Sequence, residues 1–545
     1  MSKRLTCLVC VVALSACAHG PKGKAGDPTK GDAAAVAAAA AAAKAKRPRP
    51  ETPEFWRADG QAALERLRKA TPSGTRAKNL ILFIGDGMGV STVTAARILQ
   101  GQNLGGDGEE NQLAFDDFPV TALVKTYNAD LQTPESAGSM TAMLSGVKTL
   151  GASVGLDQIP AKGQCQEAFG HETKSLLEQA KDAGLSVGLV ATMRVTHAVP
   201  AAAYAHVSDR DWEIDEKLSQ TARDQGCRDI ARQLVEFDHH GGLDLVFGGG
   251  RDAFLPRAPT TGALPPSSRA DSNRFGARGD GLDLLAQWQG RYANGRYLWT
   301  GSQIAALDWS SITGPVLGLF APDNMAYEAD RPQQGRDEPS LTAMTTAAIK
   351  GLSRNKHGFV LVVDAGGIDR AHHAGDARRA LLDTIELSNA VKAAADLTSP
   401  ADTLIVVTAG NSHTLTLGGE TKRGNPVLGL ARNRDGALLK DADGAPYTSL
   451  TYANGPGAEG PAPTEDGVAA PSYRIAAAVP LRGETHAGED TPLYARGPAA
   501  QWFHGVMEQH TLYWVMQAAL GSFQPPPPPP PPPRPWYKPE LPKKL

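Results

Sequence analysis

The sequence predicts an α/β fold, a three-layer sandwich in which a central, mostly parallel sheet is flanked by helices. Short apolar runs that are typical of buried strands alternate with segments of helical periodicity, and several of the runs end in glycine and polar residues. Strands are predicted from Asn79 to Asp86 and over Ser186–Thr192, Asp244–Phe247, Val316–Phe320, Phe359–Val363 and Thr403–Val407, and helices over Leu176–Ala183, Arg228–Phe237 and Ala380–Ala395. Open α/β sheets bind ligands at the carboxyl ends of their strands, so we expect a functional site there.

The length of 545 residues would allow about three domains, but no repeat or long linker divides the middle of the chain. We therefore predict one large domain over residues 76–522. Residues 416–480 are rich in Gly, Asn, Asp and Pro, which predicts a surface insertion. The formal charge of −3 and the lack of a basic stripe argue against a nucleic-acid partner.

The first 16 residues have the form of an export signal, with Lys3 and Arg4 before an apolar run from Leu5 to Leu14. The following Ser-Ala-Cys17 resembles a bacterial lipobox. This predicts a lipid on Cys17 and an outer-membrane lipoprotein that faces the periplasm or the outside. The alternative is a plain signal peptide cut near Ala18, and both interpretations predict export.

Two segments of biased composition flank the predicted domain. Residues 17–75 contain an alanine run and basic residues without an apolar stripe, which predicts a disordered tether. After a last helix predicted over residues 501–520, residues 523–545 contain the run Pro525–Pro533 and predict a stiff polyproline II tail.

Two cysteines remain if Cys7 and Cys10 leave with the signal and Cys17 carries lipid. In an oxidising compartment, Cys165 and Cys227 form one disulfide or stay as two free thiols, because the sequence does not give the distance between them.

Ser136 is a candidate nucleophile because it lies where a loop containing Pro134 and Glu135 would enter a helix that stops at Gly146. The N–H groups of the first helical turn would then point at the group that Ser136 attacks, and an anion would be stabilised there. The alternative is a serine that caps an ordinary buried helix.

Candidate metal ligands follow the predicted strands: they are Asp364, Asp369, His373, His413 and His486. Asp369 lies four residues before His373, so the two side chains can share one face of a helical turn and one ion. Carboxylate and imidazole ligands together suit Zn²⁺. Asp238–Gly241, with two further histidines, is predicted to be a surface turn.

Five motifs resemble a known family: Gly85-Asp-Gly-Met-Gly89, Glu135-Ser-Ala-Gly138, Thr192–Pro200 with Asp209-Arg-Asp-Trp212, Gly366–His373 and Glu484–Asp490. In this order they resemble the alkaline phosphatases, especially the animal-type branch, and the resemblance extends over residues 79–520. It implies hydrolysis of small phosphate monoesters through a phosphoserine, with zinc and magnesium as cofactors. It also implies a disulfide between Cys165 and Cys227, and it makes a homodimer an expectation by analogy.

The resemblance implies a role for each matching residue. Ser136 matches the nucleophile, and Arg210 matches the residue that clamps the phosphate oxygens. Asp369, His373 and His486 match the ligands of the zinc ion that binds the leaving-group oxygen. Asp86 matches the carboxylate shared by a second zinc and the magnesium, and Asp364 occupies the position of a magnesium ligand. His197, Asn411 and His413 are further candidate site residues.

The chain departs from the family pattern at the second zinc. Where the family has Asp-His-Ser-His, this chain has Gly410-Asn-Ser-His413, so two ligands are replaced. Asp364 occupies a position where the family has the longer Glu, Val199 one where it has a hydroxyl residue, and Glu135 one where it usually has Asp. We therefore expect a phosphomonoesterase weakened by these losses; the alternative is a pseudo-enzyme that binds phosphate or phosphoesters at the cell envelope without turnover.

Overall fold

The structure is a computed structural model that describes residues 52–70, 76–258, 275–458, 463–471 and 473–521. The predicted signal peptide, Cys17, residues 17–51 of the predicted tether and the polyproline tail lie outside these ranges. No helix of the described ranges is long and apolar enough to cross a membrane.

The strands within these ranges form one large sheet and two small ones. They are β1 Asn79–Ile84, β2 Val120–Lys125, β3 Ser186–Arg194, β4 Leu245–Gly249, β5 Arg296–Leu298, β6 Val316–Leu319, β7 Phe359–Asp364, β8 Thr403–Thr408, β9 Ser412–His413, β10 Leu415–Leu417, β11 Leu450–Gly455, β12 Ala477–Pro480, β13 His486–Ala487, β14 Thr491–Arg496 and β15 Val506–Glu508. The large sheet has the order β15-β2-β14-β8-β1-β7-β3-β4-β6-β5. Every neighbouring pair in it is parallel except the two pairs that β14 makes.

Helices cover both faces of the large sheet. Those described are α1 Pro53–Ala70, α2 Val90–Asn103, α3 Ser136–Ser145, α4 Cys165–Ala168, α5 Leu176–Asp182, α6 Ala198–Ala201, α7 Gln220–Asp224, α8 Ile230–Glu236, α9 Leu284–Arg291, α10 Gly301–Ala305, α11 Leu341–Leu352, α12 Gly367–His373, α13 Ala377–Leu397, α14 Glu465–Ala469 and α15 Thr511–Ala519. Short 3-10 helices span Asp215–Lys217, His239–Gly241, Arg251–Phe254, Trp309–Ser311, Arg331–Gln333, Pro456–Ala458 and Ala500–Trp502. The predicted α/β sandwich is confirmed.

The core is divided by the sheet into two layers. Leu80 and Leu82 of β1 pack in one layer with α3, α5, α8 and α15, whereas Ile81 and Phe83 pack in the other with α2, α11 and α13. Because both faces are covered, the central strands are apolar along their whole length, which explains why the sequence pattern revealed them.

The central parallel strands end at the same edge of the sheet. Ile84 of β1 pairs with Asp364 of β7 on one side and with Thr408 of β8 on the other, while Ala191 of β3 also pairs with Asp364. The segments that follow these strands therefore meet at one edge, as expected for ligand sites of open α/β sheets.

Helix α1 lies within the stretch predicted to be a tether, so the prediction differs from the structure over residues 53–70. Trp56 and Leu64 are buried, and α1 packs on α15. A methyl group at Gly60 would lie 2.1 Å from Cδ1 of Trp514, so glycine is needed for this close approach. One Trp, one Gly and one Leu at spacings of four make a stripe too thin to stand out in the sequence.

The C-terminal segment also differs from its prediction. In place of one helix over residues 501–520, it forms a 3-10 turn, strand β15 and helix α15. Strand β15 exists because it pairs with β2 at the edge of the sheet, a long-range contact that local periodicity does not record. The predicted insertion contributes to a separate three-stranded sheet of order β10-β11-β12.

Cys165, at the start of α4, forms a disulfide with Cys227, and their Cα atoms lie 5.9 Å apart. This is one of the two outcomes that the residues alone left open.

Candidate active site

Ser136 is the first residue of α3, and its hydroxyl is buried. Glu135, at the N-cap, has extended backbone angles, and the helix ends before Gly146, whose φ of 75° lies in the left-handed region that glycine adopts easily. The Oγ atom of Ser136 lies 3.4 Å from Oδ1 of Asp86 and 3.2 Å from Oδ1 of Asn411. The three residues come from segments far apart in the chain, and the sheet edge brings them together.

Two N–H groups of the first turn are occupied, contrary to the expectation that they face the reacting group. Ala137 donates to Oε2 of Glu135 over 2.8 Å, and Gly138 donates to the carbonyl oxygen of Gly151 over 3.1 Å. Glu135 therefore caps the helix with its own carboxylate. The other oxygen of this carboxylate forms an ion pair with Arg210.

Arg210 is held from two sides. One side is the ion pair with Glu135. On the other side, NH2 of the guanidinium lies 2.7 Å from Nε2 of His197. Burial lowers the pKa of His197, so this imidazole is neutral and its Nε2 can accept from Arg210. The positive charge of Arg210 is thereby placed beside the nucleophile in a fixed orientation.

Asp86 and Asp364 are buried carboxylates, and Ser136 is a donor to one of their four oxygens. Among the described residues, Oδ2 of Asp86 and both oxygens of Asp364 have no hydrogen-bond partner. Burial, followed by the charges of Asp369 and Asp364, raises the pKa of Asp86 well above its usual value; burial and Asp369 raise the pKa of Asp364. Buried carboxylate oxygens without donors require a proton or a cation, and all-oxygen ligands suit Mg²⁺.

The second cluster consists of Asp369, His373, His413 and His486, whose ligand atoms all lie within 4.8 Å of one another. Asp369 and His373 come from α12, which follows β7, while His413 and His486 lie on paired strands β9 and β13. Nε2 of His413 is 2.8 Å, and Nε2 of His486 is 3.2 Å, from Oδ1 of Asp369. The three predicted zinc ligands are thus neighbours, and His413 lies beside them.

The hydrogen bonds of these imidazoles fix which ring nitrogen faces the cluster. Nδ1 of His373 lies 2.6 Å from the carbonyl oxygen of Glu484, and Nδ1 of His486 lies 2.8 Å from that of Pro134. A carbonyl oxygen only accepts, so each Nδ1 carries the proton and each Nε2 of a neutral ring presents a lone pair. Nε2 of His486 is buried without a hydrogen-bond partner. Such lone pairs around a carboxylate fit a cation, and the donor set fits zinc.

Glu484 is the residue of this centre that the sequence did not single out. Its carboxylate pairs with Nδ1 of His413 and accepts from both N–H and Oγ1 of Thr414, while its carbonyl oxygen accepts from His373. It orients two imidazoles at once. Its position at the head of the motif Glu484–Asp490 was visible, but its role depends on hydrogen-bond directions.

The position of the second zinc has no matching donor set. Gly410 has no side chain, and the amide of Asn411 is engaged on both ends, with Oδ1 on Ser136 and Nδ2 3.2 Å from Oδ1 of Asp369. The residues present therefore do not fit a second zinc ion.

The model of the alkaline phosphatase family matches residues 77–522, more than four fifths of the chain. The chain belongs to the alkaline phosphatases. It is 45% identical to the tissue-nonspecific alkaline phosphatase of Gallus gallus over 467 residues, which cover 84% of this chain and 87% of that relative. It is 43% identical to the same isozyme of Homo sapiens over 476 residues, with coverage of 86% and 88%.

Solved alkaline phosphatases share the fold at lower identity. The enzyme from the Antarctic bacterium TAB5 has a TM-score of 0.56 and 22% identity, covering 82% of this chain and 99% of that one. The enzyme from Thermus thermophilus has a TM-score of 0.57 and 24% identity, with coverage of 85% and 94%. Membership of the alkaline phosphatases makes this chain a metal-dependent phosphomonoesterase.

Proposed function

We propose that this alkaline phosphatase hydrolyses phosphate monoesters through a phosphoserine on Ser136, beside one zinc ion held by Asp369, His373 and His486. The observation that carries the proposal is the buried hydroxyl at the start of α3, which lies next to Asp86 and is linked through Asn411 to Asp369. A nucleophile, an arginine and a zinc-type cluster thus lie at one edge of the sheet.

In the first step, Oγ of Ser136 forms a bond to phosphorus while the ester P–O bond breaks, and the alkoxide leaves and takes up a proton from solvent. Asp86 is the ionisable acceptor beside this hydroxyl and receives its proton. Arg210 binds two nonbridging oxygens with its planar fork. Zinc held by Asp369, His373 and His486 would supply a Lewis acid for the leaving-group oxygen and for a water molecule. Attack of water on phosphorus then breaks the bond to Oγ of Ser136, Oγ takes back the proton held by Asp86, and phosphate is released.

Asp86 and Asp364 would hold a hard cation such as Mg²⁺, since three of their oxygens lack donors. No second zinc enters the proposal, because Gly410 and Asn411 do not supply its ligands. We infer that this lowers turnover by about 10³-fold or more, at roughly tenfold per 1.36 kcal/mol of lost transition-state stabilisation. The same feature favours a rival function, in which the chain binds phosphate or phosphoesters without turnover.

The envelope location rests on the sequence and on one structural feature. The apolar run after Lys3 and Arg4 and the lipobox-like Ser-Ala-Cys17 support export and lipidation. The disulfide between Cys165 and Cys227 is consistent with an oxidising compartment. We further infer a homodimer by family analogy, with the insertion around residues 416–480 as the place to test it.

The test is hydrolysis of an aryl phosphate at alkaline pH by the purified chain, together with acid quenching to trap phosphoserine. Ser136→Ala should remove both signals. Ser145→Ala is the matched control, because Ser145 is buried in the same helix and its hydroxyl donates to the carbonyl oxygen of Thr141. Phosphate binding without Ser136-dependent turnover would favour the binding protein instead.

A further inference from the structure

Asn411 is a fully buried amide that touches the nucleophile and the zinc-type cluster at the same time. Its Oδ1 lies 3.2 Å from Oγ of Ser136, and its Nδ2 lies 3.2 Å from Oδ1 of Asp369. It stands in the loop after β8, where the structure offers no ligand set for a second zinc. This loop is also held from behind, because Gln509 donates to the carbonyl oxygen of Gly410 over 3.1 Å.

The orientation of this amide is determined by its neighbours. An ionised carboxylate, which a metal ligand must be, can only accept hydrogen bonds, so the NH₂ end of Asn411 has to face Asp369. The opposite orientation would place two acceptor oxygens against each other. The carbonyl end therefore faces Ser136, whose hydroxyl is the donor of that hydrogen bond.

We propose that Asn411 is a positioning residue of the reaction, whose amide bridges Ser136 and Asp369 in place of the second metal ion. This inference rests on the proposed role of Ser136 as nucleophile. The bridge sets the distance between the attacking oxygen and the zinc ligands, which a bound metal would otherwise set. It adds no charge, so it orients the hydroxyl without activating it.

The bridge also separates two tasks at the hydroxyl. Oγ of Ser136 has one proton and two acceptors within reach, Oδ1 of Asn411 and Oδ1 of Asp86. An amide oxygen cannot take up the proton at ordinary pH, whereas a carboxylate can. Asn411 therefore orients the hydroxyl in the resting enzyme without taking up its proton.

The role predicts a change in kcat rather than in KM. A misplacement of a reacting group by about 1 Å costs up to about a hundredfold in rate, so loss of the bridge should lower kcat by about tenfold to a hundredfold. Substrate binding should change by less than about threefold, because it is supplied by the fork of Arg210, which is held by His197 and Glu135.

The experiment compares Asn411→Leu and Asn411→Asp with the full-length wild type. Leu has a similar branched shape without polar atoms, so it removes both hydrogen bonds and leaves the space filled. Asp keeps an acceptor for Ser136 but turns the other end into an oxygen that faces Asp369. Gln509→Leu is the control for general loosening of the loop, and its kcat should stay within about threefold of the wild type.

The measurements are kcat, KM, the rate of phosphoserine formation, zinc per chain and the affinity for inorganic phosphate. The proposal expects slower phosphoserine formation in Asn411→Leu with zinc content and phosphate affinity unchanged. It expects Asn411→Asp to be slower than wild type until added divalent metal binds between the two carboxylates, seen as extra metal per chain. Unchanged kcat in Asn411→Leu would overturn it, and so would a loss of zinc in proportion to the loss of rate. If the wild type shows no Ser136-dependent turnover, the proposed function fails. Phosphate affinity is measured without turnover, so it would then show whether the chain binds phosphate without hydrolysing the ester.

Discussion

Nε2 of His413 lies 2.8 Å from Oδ1 of Asp369, while Nδ1 of the same ring pairs with the carboxylate of Glu484. The imidazole is fully buried between two carboxylates, and His372 stacks on it with ring centres 4.8 Å apart. A neutral ring can donate to only one of the two carboxylates. Both contacts are hydrogen bonds when the ring is protonated on both nitrogens, so His413 donates to Asp369, a predicted zinc ligand, on one side and to Glu484 on the other.

Removal of either histidine among the three predicted zinc ligands should empty the zinc centre. In His373→Ala or His486→Ala, one of three ligands is lost, and zinc should fall from near one per chain to a small fraction. Elemental analysis of dialysed protein measures this. His357→Ala provides the control, since His357 is exposed and its backbone N–H, which the substitution keeps, donates to Oδ1 of Asn355. Full zinc content in both ligand variants would contradict the assignment.

Removal of His413 should weaken the zinc centre without emptying it. Outer groups that orient metal ligands typically contribute 10- to 100-fold in affinity, and His413→Ala deletes the contact to Asp369. We expect about one zinc per chain at saturation, with affinity lowered by about that factor in a competition with a chelator. Complete loss of zinc would instead make His413 a direct ligand.

The parts of the site that the sequence revealed are those tied to strand ends. Asp86 and His413 follow buried apolar strands and Asp364 ends one, so strand prediction and the sheet-edge rule pointed to them as site residues, whereas Asn411 was found through the family resemblance. The fold followed from the same pattern, because strands covered on both faces are apolar throughout.

The parts that the sequence did not reveal depend on directions and on long-range pairing. Glu135 was expected simply to precede the nucleophile, yet it caps α3 and pairs with Arg210. The loss of ligands at Gly410 and Asn411 was readable, but the bridge made by Asn411 depends on which end of the amide faces Asp369. Strand β15 and helix α1 depend on contacts with segments hundreds of residues away, which no local pattern encodes.

The disulfide should contribute substantially to stability. Cys165 and Cys227 are separated by 62 residues, and closing a loop of that length in the unfolded chain corresponds to about 4 kcal/mol in the chain-entropy model. Replacement of both cysteines by Ala should lower the free energy of unfolding by roughly that amount, measured by urea denaturation. A reductant should destabilise the wild type and leave the double variant unaffected. Two freely alkylated thiols in exported native protein would contradict the pairing.

The turn His239–Gly241 should give the fold a pH dependence. Nε2 of His239 lies 3.2 Å from Glu178 and Nδ1 lies 3.0 Å from Asp182. The hydrogen bonds to Glu178 and then Asp182 raise the pKa of His239 from 6.5 to about 9, although burial acts in the opposite direction. Because the pKa of His239 is higher in the folded state, its ion pairs stabilise the fold fully below pH 6.5, and this stabilisation disappears as the pH rises through about 9.

The variant His239→Gln should therefore lower Tm at pH 6 and change it little at pH 10. His206 and His239 lower the pKa of Glu178 to about 2, although burial acts in the opposite direction. Glu178 therefore does not titrate between these pH values. His240→Gln is the matched control, because its ring is largely exposed and lies 3.6 Å from Asp182. An equal loss of Tm at both pH values would mean that His239 acts through packing alone.

The second zinc site should be restorable by the double substitution Gly410→Asp with Asn411→His. There is room for the first change, since a methyl group at Gly410 would lie 3.4 Å from Cβ of Ser139 and 3.9 Å from Cε of Met143. The pair must be made together, because one new ligand leaves the ion short of donors and residues that act as a unit are far from additive. We expect one extra zinc per chain and a rise of orders of magnitude in aryl phosphate turnover at alkaline pH. That rise should disappear again when Ser136→Ala is added, whereas adding Ser145→Ala should leave it in place. Extra zinc without faster hydrolysis would mean that the missing metal is not what limits this chain, and the phosphate-binding function would become the better account.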